Sequence, residues 1–158
     1  MKTTITIGDN TFDIVINFQT IVLFRSIFNR DFSVESSRMD EKTITATKGL
    51  QELKKLQADY HNNKITQEEY LTRYNSLDIA DSLEMVSEKS ELYAKLLFVM
   101  VRQAEESDAG KLFTTTIKDY YDFLGKFEGS DLMSGDFTAK INAIWKEQFK
   151  SKVESKNH

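Results

Sequence analysis

The segment "VINFQTIVLFRSIFNRDF", Val15 to Phe32, decides the fold because its periodicity changes in the middle. Up to Ile16 apolar residues alternate as in a strand, and from Phe18 they recur at helical spacing. Asn17 stands at the change and is the predicted N-cap. Phe18, Ile21, Val22, Phe24, Ile27 and Phe28 are expected to face inward, with Gln19, Arg25 and Ser26 outward. "NRD" at 29–31 ends the helix, and Phe32 and Val34 are expected to fold back on what precedes them.

Working outward toward the N-terminus, "TTITI" and "TFDIVI" both alternate. Ile5 and Ile7 share one side of the first; Phe12, Ile14 and Ile16 share one side of the second. "GDN" between them supplies residues that tolerate positive φ, so a β-hairpin is predicted. A hairpin is marginal alone, and the Phe18 to Phe28 helix is expected to pack on it.

Toward the C-terminus, Glu35 to Lys48 shows little periodicity and reads as a loop. Leu50, Leu53, Leu56 and Tyr60 then form one stripe, "HNNK" breaks it, and a second helix begins at Thr66. Glu69 three residues on completes a capping-box signature, with Ile65 and Tyr70 as its hydrophobic staple. These two helices form a predicted αα-hairpin. The longest and most apolar helix is expected from near Asp81 to near Ala109, central because its middle is apolar on every side but Lys95. A short aromatic helix ("IKDYYDFLGKF"), a loop ("EGSDLMSGD") and a last helix carrying Phe137, Ile141, Ile144, Trp145 and Phe149 follow. Residues 151–158 are polar enough to fray.

The fold class read from these elements is α+β, mainly α: a hairpin on a helix, then a helical bundle with an inserted αα-hairpin. At 158 residues, 40% hydrophobic and without proline, the chain suits one domain over 1–150 with long helices. A net charge of −4 gives no field that would draw in nucleic acid or an anionic membrane. The absence of cysteine rules out disulfides and thiolate chemistry. No apolar leader opens the sequence, and the apolar run at Leu92 to Val101 is half a membrane span.

Chemistry-bearing patterns are sparse, so no catalytic, cofactor-binding or metal-binding residue is assigned. His61 lies at the αα-hairpin break and His158 is the last residue, and neither position suits an oriented catalytic imidazole. With Glu69 as the last ligand of a calcium loop, the first position would be Ala58 and the third Tyr60, neither of which ligates calcium. No glycines have phosphate-loop spacing. Asp119 with Asp122, and Glu105 with Glu106, read as exposed helix-surface charge. The lysines around Trp145 read as a solvated helix end, interrupted by Glu147 and Glu154. Tyr120, Tyr121, Phe123 and Phe127 exceed what a short helix buries against one neighbour, so one or two are expected on a partner surface.

Three stretches carry a resemblance: "INFQTIVLFRSIFNRDF", with Phe18, Arg25, Phe28, Asp31 and Phe32; "ELYAKLLFVMVRQAEES"; and "IKDYYDFLGKF" followed by the tryptophan helix "INAIWKEQF". Over residues 3–34 and 81–150 the chain resembles the tail assembly chaperones of long-tailed bacteriophages and prophages of Gram-positive hosts; 35–80 has no counterpart. The resemblance implies a non-enzymatic protein of the infected host's cytoplasm, absent from the mature virion. It would coat the tape measure protein until tail tube subunits assemble around it. It also implies a frameshift-extended form of the chain, and homo-oligomers are compatible with it. A client groove is then expected along Phe24, Phe28, Phe32, Tyr120, Tyr121 and Phe123. Two alternatives stand beside it: a structural tail or head-tail joining protein, and a host-directed adaptor acting through the αα-hairpin.

Overall fold

The computed structural model describes the backbone of residues 1–77, 80–110 and 115–156, and the side chains of these except 80–83 and 150–156. Two strands lead, β1 (Lys2–Ile7) and β2 (Asn10–Val15), followed by α1 (Phe18–Phe28), α2 (Phe32–His61), α3 (Gln67–Ser76), α4 (Ala80–Asp108), α5 (Ile117–Leu124), α6 (Gly129–Met133) and α7 (Gly135–Lys156). The class is α+β, mainly α, as the periodicities predict. Contacts divide the chain into two units, one of residues 1–35 with 89–158 and one of 36–88.

In the first unit the strands pair antiparallel, Ile5 opposite Phe12 and Thr3 opposite Ile14. Ile5, Ile7, Ile14 and Ile16 are buried. Gly8 makes the turn at φ +59°, and a Cβ there would lie 2.6–2.7 Å from the Asp131 carboxylate. Left-handed backbone costs a non-glycine residue about 1–2 kcal/mol before any clash. Gly8→Ala is therefore expected to lower stability by about 2 kcal/mol in thermal or urea unfolding. Adding Asp131→Ala should recover only the clash; a full recovery would mean that the backbone conformation costs nothing.

α1 matches its predicted bounds, and its inward face holds Thr20, Phe24 and Phe28. Phe18 and Val22 do not turn inward as expected: they are 70% and 52% exposed. The apolar set of this helix is wider than one face, and Phe18 and Val22 fall on the arc shared with Arg25 and Ser26. Asn29 ends the helix at φ 54°, its N–H donating to the Arg25 carbonyl at 2.8 Å.

The corner into α2 explains the "R…F..DF" letters. Arg25 forms an ion pair with Asp31. Asp31 Oδ1 accepts from the backbone N–H groups of Ser33 (2.9 Å) and Val34 (3.3 Å), capping α2. The Arg25 hydrogen bond, with those amides, holds the Asp31 carboxyl below the usual carboxylate range. Phe32 folds back as expected and is buried; Val34 does not, and lies exposed.

Within the first unit α4 supplies the centre. Leu96, Leu97, Phe98, Val99 and Met100 are at most 1% exposed, matching the expectation for this helix. Phe12 of the hairpin meets Phe123 and Phe127, each at 5.6 Å between ring centroids, so α5 and the turn after it cover this part of the sheet. Phe137 and Ile141 of α7 are buried, and Trp145 packs edge-on against Phe32 at 4.7 Å. The predicted loop at 128–136 contains α6, and α7 continues to Lys156.

The second unit corrects one reading. Glu35 to Lys48 is not a loop: it is helical and continuous with the stretch that follows. The buried stripe is Met39, Ala46 and Leu56, with Leu53 half-buried, so its residues are small or spaced too far apart to show in a polar context. Thr43, Thr45 and Thr47 bond the carbonyls of Met39, Glu41 and Thr43, which keeps threonine hydroxyls satisfied inside a helix. Leu50, assigned to the buried stripe, is 45% exposed. Thr66 caps α3 as predicted, accepting from the Glu69 N–H at 3.2 Å.

Candidate functional site

The six aromatic residues expected to line a groove are brought together, but as core. Phe24 meets Phe28 (5.1 Å) and Phe32 (5.5 Å); Phe28 meets Tyr120 (5.2 Å); Phe98 of α4 joins Tyr120 (5.5 Å) to Phe123 (5.4 Å). Phe24, Phe32, Tyr120 and Phe123 are buried and Phe28 is half-buried. The groove is thus filled by its own walls, because tilted and edge-to-face ring packing at these distances leaves no slot between the rings. Burial, with the negative charge of Glu91, pushes the Tyr120 hydroxyl well above the ordinary tyrosine range.

Of the six, Tyr121 alone is open to solvent, at 64%. Ile117, one turn earlier on α5, is half exposed, and Phe18 with Val22 repeats the arrangement on α1. An i, i+4 pair of large apolar side chains left outward on each of two helices is what an accessory apolar surface looks like. Of these four exposed residues the sequence reading placed only Tyr121 in the expected client set; it turned Phe18 and Val22 inward and gave Ile117 no such role. The available signal was the excess of apolar positions over one helical face. Lys95, the expected polar break in α4, pairs with Glu91 at 3.0 Å and lies 5.4 Å over the Phe28 ring, so its stem shields the half-buried edge of the core.

Several polar groups of the unit are tied to structure, while Ser90 Oγ and Glu106 Oε2 are buried without a hydrogen-bond partner among the described residues. Gln103 is 2% exposed; its Oε1 accepts from Thr20 Oγ1 (2.7 Å) and its Nε2 donates to Asn17 Oδ1 (2.8 Å). Thr20 Oγ1 in turn accepts from the Asn17 N–H at 3.0 Å, so the predicted N-cap residue is served by its helix and by α4 together. Asp119 accepts from the Thr116 N–H at 2.7 Å, which draws its carboxyl below the usual range and caps α5. Glu106, read as surface charge, is buried: its Oε1 accepts from Thr115 Oγ1 (2.6 Å) and Arg102 (3.3 Å). Its pairing with Arg102 one turn back on the helix allows the burial. Glu105 remains exposed and pairs with Arg102 at 2.9 Å.

In the second unit a cleft of about 420 Å³ is lined by Arg38, Lys42, Ala46 and Met85 among others. Tyr60, Leu71 and Tyr74 are each more than two-fifths exposed, with Tyr70 between Tyr60 (4.8 Å) and Tyr74 (6.0 Å). His61 ends α2; His158 lies outside the described residues. Among the described residues no group of three His, Asp or Glu could hold a metal ion, and no helix is long and apolar enough to cross a membrane. Comparisons with protein families, with curated proteins and with solved structures each return no match.

Proposed function

We propose that the chain is a non-enzymatic tail assembly chaperone of a bacteriophage or prophage, acting in the host cytoplasm. It binds the tape measure protein, keeps it soluble and helps recruit tail tube subunits. The observation that carries this reading is the outward apolar pairs, Phe18 with Val22 and Ile117 with Tyr121, on a unit whose aromatic core is already filled. Apolar side chains held outward by a filled core offer a preformed surface for the apolar face of a client helix. A further support is that the resemblance, over 3–34 and 81–150, falls largely on the first unit, whereas 35–80, which has no counterpart, falls largely on the second. The partial exposure of Tyr60, Leu71 and Tyr74 favours a second reading for that other unit, an adaptor surface for a host protein.

The test is co-expression with the tape measure protein of the same genome. Soluble client should rise and co-purify with the wild-type chain. Phe18→Asp and Tyr121→Asp should each weaken that binding roughly thirtyfold, the loss of a contact of about 2 kcal/mol. Both variants should keep the wild-type circular dichroism. A client that stays insoluble and unbound would overturn the reading, as would full binding by both variants.

A further inference from the structure

β1 has a free edge that is complementary to itself. The N–H and carbonyl of Met1 exchange hydrogen bonds with Ile16 at 2.8 and 2.9 Å, which fixes the alternation along the ladder. Thr3, Ile5 and Ile7 therefore point their backbone groups at β2, while Lys2, Thr4 and Thr6 point theirs away from it. Among the described residues the outward carbonyl of Thr6 accepts from Lys140 Nζ at 3.2 Å, and the outward backbone groups of Lys2 and Thr4 have no partner. All three side chains are exposed, and the strand is threonine and isoleucine after its lysine, a strongly strand-forming edge.

We propose that β1 pairs antiparallel with β1 of a second copy about a two-fold axis at Thr4, giving one four-stranded sheet. In that register Thr4 meets Thr4 of the second copy, and Lys2 meets Thr6. Neither is a like-charge pair, and the threonine pair is a favourable cross-strand contact. Charge argues for the same occupant. Asp108 stands at the Lys2 end of the strand, 2.9 Å from Lys2 Nζ, and Lys140 stands at the Thr6 end. The two-fold reverses the ends, so the Asp108 of each copy faces the Lys140 of the other. Lys140 then has a carboxylate in place of the Thr6 carbonyl, and that carbonyl is released for the strand. One edge buries less than the area of a standard stable interface, so the dimer is weak, with a dissociation constant above about 10 μM. The interface is independent of the outward apolar pairs on α1 and α5.

Because the chain has no cysteine, the test uses single introduced thiols. Thr4→Cys places two cysteines opposite each other across the axis at about 5.5 Å between Cα atoms, within disulfide range. Thr11→Cys, on the same exposed face of β2, is the control. Under mild oxidation Thr4→Cys should give a disulfide dimer at least about tenfold faster than Thr11→Cys. Sedimentation equilibrium of the unaltered chain should show the mass rising from 18.3 kDa toward twice that as its concentration approaches about 1 mM. Equal crosslinking rates, an unaltered chain that stays monomeric throughout, or dimers that Thr4→Cys fails to trap would each overturn the proposal.

Discussion

Phe24→Ala should destabilise the chain by about 3–5 kcal/mol, whereas Tyr121→Ala should change stability by no more than about 0.5 kcal/mol. The two residues belong to one sequence-predicted aromatic set and differ in what surrounds them. Phe24 is 1% exposed and touches the rings of Phe28 and Phe32, which are themselves held against Phe98 of α4 and Trp145 of α7, so truncation leaves a cavity that its neighbours cannot readily fill. Tyr121 has solvent over most of its surface and one ring neighbour, Tyr120. Since a whole domain has about 5–15 kcal/mol of stability, the first variant should be measurably unfolded near physiological temperature and the second should not. Urea unfolding of the two variants side by side checks this; equal losses would mean that the six aromatics act as one surface or one core.

Gln103→Leu is the second large effect, an expected loss of about 2–3 kcal/mol although leucine is the more apolar residue. The substitution removes the acceptor of the Thr20 hydroxyl, which has no exposed surface, and the donor to Asn17 Oδ1. Adding Thr20→Val should restore only part of the loss, because it removes the orphaned Thr20 hydroxyl but also takes the acceptor from the Asn17 N–H, and Asn17 Oδ1 still lacks its Gln103 donor. The comparison is a double-mutant cycle, and additive losses would show that the Thr20–Gln103 contact contributes nothing of its own.

The strands were legible from their period of two, in Ile5 and Ile7 and in Ile14 and Ile16, the bounds of α1 from the change of period at Asn17, and α4 from the nearly unbroken apolar run Leu92 through Val101. The first half of α2 was not, since its buried stripe rests on Met39 and Ala46 seven residues apart, and its threonines hide their helical role in hydrogen bonds to their own backbone. The candidate surface was half legible. Composition marked an excess of aromatics, but which ones point out depends on the azimuth of each helix against α4. That azimuth is set by contacts remote in sequence, such as Thr20 with Gln103, 83 residues apart. Glu106 shows the same limit, since only the fold brings Thr115 to its carboxylate.

The single tryptophan gives the chain a built-in optical probe. Trp145 lies against Phe32 and Phe149, half-buried, in the unit formed by residues 1–35 and 89–158, while the unit of 36–88 has tyrosines and no indole. Its emission therefore reports the melting of one unit alone, and far-ultraviolet dichroism reports both. Where the two signals change together the units melt as one cooperative body, and where they separate each unit has a transition of its own.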